Sequence, residues 1–141
     1  MTSQGLIKLS GFQSSSGQLK VQSETDYVSI EDAEITVNCN VSTAQTKYAF
    51  QVISKTSYVS VSGRKAFNVR DIYIFSALNT DIGNMVAMLT NYANSVSPAI
   101  RIEAMERLTF NGPAALSGGH IFLRGYRGVA FLDQTSLLAT F

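Results

Sequence analysis

Apolar and polar residues alternate in two neighbouring segments, 35–41 and 47–54, which the short polar stretch 42–46 separates. Alternation with a period of two is typical of a β-strand that buries one face. The pattern therefore predicts an antiparallel hairpin with two different faces. Its apolar face comprises Ile35, Val37, Cys39, Tyr48 and Phe50, and its polar face comprises Thr36, Asn38, Asn40, Lys47, Ala49 and Gln51.

Other parts of the N-terminal half also show strand patterns. Residues 5–22 read as a hairpin around a Ser/Gly turn, and "DYVSI" (26–30) reads as a short strand. "AFNVRDIYIFSAL" (66–78) is β-rich, and the slip in its alternation near Arg70–Asp71 predicts a bulge.

The period changes at residue 79. In segment 79–96, apolar residues recur at helical spacing, and Ser97–Pro98 is typical of a helix start before a second helix at 98–108. Five or six strands followed by two helices predict an α+β fold, with the two helices on one face of an antiparallel sheet. The helical positions are Ile82, Met85, Val86, Leu89, Tyr92 and Ala93 in the first helix, and Ile102, Met105 and Leu108 in the second.

The last segment has a β-rich pattern of its own. "HIFLRGYRGVAFL" (120–132) predicts a hairpin around Gly125–Gly128. Since no later element remains to cover its apolar residues, we expect them to pack on another subunit or on the edge of the domain.

Composition narrows the class of protein. Only 15% of the 141 residues are charged, against about 25% in a typical soluble domain, so we expect much of the surface to be covered by other subunits. One cysteine, no apolar run long enough for a membrane span and no signal-peptide pattern favour a cytoplasmic protein. The net charge of +1 is unevenly distributed, because segment 36–70 contains five basic residues and no acid. Such segregation favours an anionic partner.

Reactive groups are few. His120 is the single histidine, and no phosphate-binding loop, metal-ligand spacing or nucleophile motif occurs. We therefore expect no enzyme activity, no cofactor and no metal. Binding fits better, because the hydroxyls and carboxamides of the hairpin's polar face can read base edges and 2′-hydroxyls. Lys47, Lys55 and Arg70 would attract phosphates.

The order of these features resembles the coat proteins of single-stranded RNA bacteriophages, the leviviruses. "ITVNCNVSTAQTKYAFQV" is similar to their central hairpin. "RDIYIFSALNTDIGNMVAMLTNYANSVSPAIRIEAMERL" is similar to their last sheet strand and the kinked helix pair that follows it. The resemblance covers about residues 5–112, which implies a coat-protein domain at 1–112 and a C-terminal extension at 113–141, with a hairpin in it.

The resemblance also implies a function. Such proteins form intertwined homodimers that assemble into an icosahedral shell around the viral single-stranded RNA, in the cytoplasm of the bacterial host. The inner sheet binds a genomic RNA hairpin, which represses translation and marks the genome for packaging. No membrane takes part. The RNA-facing positions carried over are Thr36, Asn38, Asn40, Lys47, Ala49, Gln51, Asn68 and Arg70.

Four of those positions, Asn38, Ala49, Gln51 and Arg70, depart from the residue types that the family uses, which favours RNA binding in general over binding of the same hairpin. Two other functions stay open. One is a non-viral RNA-binding β-domain whose aromatic residues stack on bases, although the alternation assigns Tyr48, Phe50 and Tyr73 to the core. The other is a self-assembling structural protein without nucleic acid.

Overall fold

The protein is a parallel β-solenoid. The structure, a computed structural model, describes residues 2–10, 13–16, 19–37, 48–63, 66–83, 86–90 and 99–139. These residues form 18 strands and no helix. The strands lie in three six-stranded sheets, and all of their pairings are parallel.

Every third strand belongs to the same sheet. Sheet A contains β1 (Thr2–Ser3), β4 (Leu19–Ser23), β7 (Phe50–Ser54), β10 (Ile72–Ser76), β13 (Ile100–Ala104) and β16 (Ile121–Gly125). Sheet B contains β2 (Ile7–Ser10), β5 (Val28–Glu31), β8 (Val59–Ser62), β11 (Thr80–Gly83), β14 (Arg107–Phe110) and β17 (Gly128–Phe131). Sheet C contains β3 (Gln13–Ser16), β6 (Glu34–Val37), β9 (Ala66–Val69), β12 (Val86–Thr90), β15 (Ala114–Gly118) and β18 (Thr135–Ala139).

Alternation within each strand builds the core. The central strands of sheet A have a regular buried–half-buried pattern, so their first, third and fifth residues point inward. Parallel register then places apolar residues of successive coils side by side. Val52 lies beside Ile74, and Ile74 lies beside Ile102, all with no solvent exposure. Each such burial contributes about 1.5–3 kcal/mol, and parallel sheets of this kind depend on apolar side chains stacked from coil to coil.

Buried serines close the corner between sheets A and B. The Ser23 and Ser54 hydroxyls accept hydrogen bonds from the backbone N–H groups of Asp26 and Ser57, both at 3.1 Å. Ser54 Oγ also donates to the carbonyl of Asp26, in the preceding coil, at 2.7 Å. Because buried backbone groups need partners, each serine both shapes its own turn and ties it to the coil before.

The α+β fold predicted from the sequence is wrong. The two expected helices, 79–96 and 98–108, are replaced by β11, β12, β13 and β14 wherever those ranges are described. Ile82, Val86, Ile102 and Leu108 are buried, but as inward positions of short strands. In strands of four or five residues, two or three apolar positions fit a period of 3.6 nearly as well as a period of two. Spacing alone therefore did not distinguish a helix from a strand.

The predicted hairpins are wrong as well. β6 and β7, the described parts of the hairpin at 35–54, lie in sheets C and A and pair with other strands. The hairpin at 5–22 is divided among three sheets, since β2, β3 and β4 each belong to a different one. The C-terminal hairpin is absent because β16 and β17 lie in sheets A and B. At Gly125–Gly128, the chain passes from sheet A to sheet B where the alternation suggested a reversal.

Two smaller expectations change with the fold. The slip near Arg70–Asp71 is the corner between β9 and β10 and no bulge within one strand. Residues 114–139 continue all three sheets through β15, β16, β17 and β18. Among the described residues, none belongs to a helix that is long and apolar enough to cross a membrane.

Candidate ligand-binding face

The side chains that point outward from the last four coils of sheet A form a distinctive surface. In register along one row lie Gln51, Tyr73, Arg101 and Phe122, and along the next row lie Ile53, Phe75, Glu103 and Arg124. Met105 and Tyr126, which directly follow β13 and β16, extend this surface at the corner and are 45% and 58% exposed. We call these ten residues the outer face of sheet A.

Aromatic rings stack at the N-terminal part of this face. The ring centroids of Tyr48 and Tyr73 are 5.4 Å apart, and those of Tyr73 and Phe75 are 6.5 Å apart, both in stacked orientation. Burial raises the pKa of Tyr48 and that of Tyr73, so both phenols stay neutral at pH 7 and keep their O–H donors. The rings are half-buried, which holds them in place while part of each faces solvent.

Guanidinium groups continue the stack. Arg101 and Arg124 lie over the Phe122 ring, with their central carbon atoms 4.9 Å and 5.0 Å from its centroid. Arg124 also lies 5.3 Å from the centroid of Tyr126 and donates a hydrogen bond of 3.1 Å to the Tyr126 hydroxyl. Such cation–π contacts hold the guanidinium plane in one orientation. Less side-chain entropy is then lost when the group binds a ligand than for a free arginine side chain.

Glu103 is the one carboxylate among the ten residues of this face. Its Oε1 atom accepts hydrogen bonds from Nε and Nη2 of Arg101 at 3.0 Å and 2.6 Å. These bonds raise the pKa of Arg101 above its ordinary value. Only 12% of the Glu103 side chain is exposed, against 37% for Arg101, so the pair is partly desolvated and fixed in one geometry.

The other two sheets differ in what they show to solvent. Wherever strand side chains are described, aromatic residues point outward from sheet A alone. Sheet B presents Ser60, Asp81 and Thr109 in register, and sheet C presents Ala66, Ala87 and Ala115 in register. Among the described outward positions of the strands, large rings are therefore concentrated on this face.

The structure separates the RNA-facing residues predicted from the sequence. Thr36 and Asn68 are register neighbours in sheet C, whereas Gln51 lies on the outer face of sheet A. Ala49 is fully buried, and its N–H donates to Oδ1 of Asp71 at 2.6 Å. Asn38, Asn40 and Lys47, like Cys39 of the predicted apolar face, lie outside the described residues.

Arg70, the last of the predicted positions, forms an ion pair of 3.1 Å with Asp71, and 15% of its side chain is exposed. The described members of the predicted polar face therefore do not share one surface, because Thr36 and Asn68 lie in sheet C and Gln51 in sheet A.

Sequence reasoning missed the residues that now stand out. Tyr48 and Tyr73 were assigned to the core because they alternate with polar residues, yet they lie outside the solenoid beside Phe75. A usable signal existed in five segments of similar pattern, each with inward apolar residues first and third and a small residue fifth. These segments are "LKVQS", "FQVIS", "IYIFS", "IRIEA" and "IFLRG".

No group of three or more histidine, cysteine, aspartate or glutamate residues that could hold a metal ion occurs within the described ranges. Scans against models of known protein families, curated proteins and solved structures return no match.

Proposed function

We propose that the protein binds an extended carbohydrate on the outer face of sheet A. The observation that carries the proposal is the concentration of outward aromatic rings on this one sheet, interleaved with hydrogen-bonding groups. Aromatic rings pack against the C–H faces of sugar rings, and amphipathic rings such as tyrosine combine that contact with a polar group. Gln51, Arg101 and Glu103 supply donors and acceptors suited to sugar hydroxyls.

The geometry suits a polymer. Neighbouring strands in a sheet lie about 4.7–4.9 Å apart, so the row from Gln51 to Phe122 extends about 14–15 Å along the solenoid axis. A ligand that runs along this axis meets one new side chain of the row at each step. Because the strands are rigid and parallel, the row is formed before the ligand arrives, which lowers the entropic cost of binding.

Binding of RNA is supported less well. Nucleic-acid binding depends on several basic groups that neutralise phosphates. Yet Lys55 pairs with Glu24 at 2.9 Å, Arg70 with Asp71 at 3.1 Å and Arg101 with Glu103 at 2.6 Å. Of the basic residues in segment 36–70, the two that the structure describes, Lys55 and Arg70, are therefore paired with acids from outside the segment. The levivirus-like shell and its RNA hairpin stay a hypothesis, and the α+β architecture that the resemblance implied is wrong.

The proposal is for binding without cleavage of the carbohydrate. Hydrolysis of a glycosidic bond ordinarily uses two carboxyl groups, one as acid and one as base or nucleophile. Glu103 is the one carboxylate among the residues that define the face, and Arg101 holds it in an ion pair. A carboxylate in this state fits hydrogen bonding to hydroxyls better than proton transfer.

The test is affinity electrophoresis of the purified protein in gels that contain neutral or acidic polysaccharides, followed by calorimetry with the best of them. We expect Phe122→Ala and Tyr126→Ala to weaken binding at least tenfold, since each removes a ring from the face. Leu138→Ala is the matched control, because Leu138 is 56% exposed and lies in the same terminal coil but on sheet C. Thermal unfolding confirms that all three variants stay folded.

Two results would contradict the proposal. One is that no polysaccharide in the panel slows the protein in the gel. The other is that Leu138→Ala loses as much binding as Phe122→Ala and Tyr126→Ala. A single-stranded RNA oligonucleotide is included as a competitor. If it binds and polysaccharides do not, the RNA hypothesis replaces this one.

A further inference from the structure

The two arginines of the face are not equivalent. Arg101 directs Nε and Nη2 at Glu103, so its charge is compensated within the protein. Arg124 is exposed, and its guanidinium donates a hydrogen bond to the neutral hydroxyl of Tyr126. Among the described residues, no carboxylate lies within ion-pair distance of Arg124. Arg124 is therefore the cation of this face that forms no ion pair with a described residue, since the carboxylate of its register neighbour Glu103 is paired with Arg101.

Arg124 is also held in position. Its guanidinium lies 5.0 Å from the Phe122 centroid and 5.3 Å from the Tyr126 centroid, between two rings of the face. A guanidinium has five N–H donors in a fixed fork. The bond to Tyr126 uses one, so others are available for an oxyanion, which arginine binds in two-point contact.

We infer that Arg124 binds an oxyanion substituent of the carbohydrate, which makes the ligand an acidic polysaccharide. This inference rests on the proposed function, because it names the class of carbohydrate that the same face takes. The substituent is a carboxylate or a sulfate ester, and both offer the oxygen pair that the guanidinium fork fits. The sugar ring that carries it would lie against Phe122 or Tyr126.

The experiment compares one polymer in two forms: a polyuronate oligosaccharide and the same oligosaccharide with its carboxyl groups reduced to alcohols. A sulfated neutral oligosaccharide forms the third arm. We expect the wild-type protein to bind the polyuronate or the sulfated ligand at least tenfold more tightly than the reduced one. In Arg124→Gln that preference should vanish, and Arg124→Lys should keep part of it.

Arg107→Gln is the control. Arg107 is exposed on sheet B, so this substitution removes the same charge from another face. Equal wild-type affinity for acidic and reduced ligands would overturn the inference and leave the proposed function standing. An equal effect of Arg107→Gln and Arg124→Gln would also overturn it, because the preference would then reflect overall charge. Binding of none of the three ligands would remove the proposed function itself.

Discussion

Replacement of Ser54 by alanine tests the corner that links successive coils. Ser54 has no solvent exposure, and its hydroxyl makes two hydrogen bonds. It donates to the Asp26 carbonyl at 2.7 Å and accepts from the Ser57 N–H at 3.1 Å. Ser54→Ala leaves both backbone groups without these partners, although it removes little volume.

The expected cost follows from those two bonds. The net contribution of a hydrogen bond to stability is about 0.5–1.5 kcal/mol, and a buried polar group left without a partner lowers stability by about 1–3 kcal/mol. Since both bonds lie in partly buried surroundings, we expect Ser54→Ala to lower the free energy of unfolding by about 2 kcal/mol. With a typical urea m-value of about 1–3 kcal/mol/M, the midpoint should fall by about 1 M.

The assay is urea unfolding followed by circular dichroism, with Ser60→Ala as control. Ser60 follows Ser54 in the chain but points outward from β8, where its loss should change stability by less than about 0.5 kcal/mol. Equal midpoints for the two variants would refute the corner geometry, because in a hairpin at 35–54 no carbonyl of Asp26 would lie near Ser54.

Three further predictions address the core, a corner and the pH dependence of stability. Ile74→Ala should lower the free energy of unfolding by about 2–5 kcal/mol, whereas Ile53→Ala, on the outer face, should lower it much less. Chemical denaturation measures both, and a larger loss for Ile53→Ala would contradict the assignment of inward and outward positions. Gly63→Ala should destabilise by more than about 1 kcal/mol, since Gly63 has a φ of 124° and an added Cβ would lie 2.6 Å from Asp32 Cα; an unchanged melting temperature would contradict this. Burial raises the pKa of Asp81, so ionised Asp81 lowers stability at neutral pH, and that penalty disappears as the pH falls through the raised pKa toward the ordinary value. Asp81→Asn should therefore be more stable than the wild type at pH 7 and lose this advantage by about pH 3; an equal advantage at both pH values would be inconsistent with a raised pKa.

Alternation predicted where many strands lie, and which residues they bury. Ile35 and Phe50 are buried as the hairpin pattern indicated. Alternation gives the two faces of a strand but does not identify its neighbours, because the same pattern fits an antiparallel partner in the same hairpin and a parallel partner one coil away. The sheet partners of β7 are β4 and β10, which lie 31 and 22 residues away in register.

A repeat in the sequence could have identified those neighbours. "SETDYVSI" (23–30) and "SKTSYVSV" (54–61) share serine, threonine, tyrosine, valine and serine at the same positions. In the structure Val28 pairs with Val59, and the rings of Tyr27 and Tyr58 stack with centroids 4.5 Å apart. A search for internal repeats detects such solenoids. The signal is weak because coils differ in length: 21 residues separate Ile7 from Val28, but 31 separate Val28 from Val59.

The candidate face could not be derived from the sequence without the fold. Tyr73, Arg101 and Phe122 are separated by 28 and 21 residues, and only the register of three parallel strands places them side by side. Their individual patterns were ambiguous, since an outward tyrosine and a core tyrosine alternate in the same way. The Arg101–Glu103 pair falls in the range predicted as the second helix, whereas it lies along one strand.

Disulfide formation between engineered cysteines tests the arrangement on which both proposals depend, in a Cys39→Ser background. Gln51 and Tyr73 are register neighbours on the outer face of sheet A, at a strand spacing within the Cα range for a disulfide. The pair Gln51→Cys and Tyr73→Cys should therefore cross-link under mild oxidation. The pair Thr36→Cys and Gln51→Cys, which a hairpin would place on one face, should not, because these residues lie in sheets C and A. Cross-linking of the second pair and not of the first would contradict the solenoid and, with it, the proposed binding face.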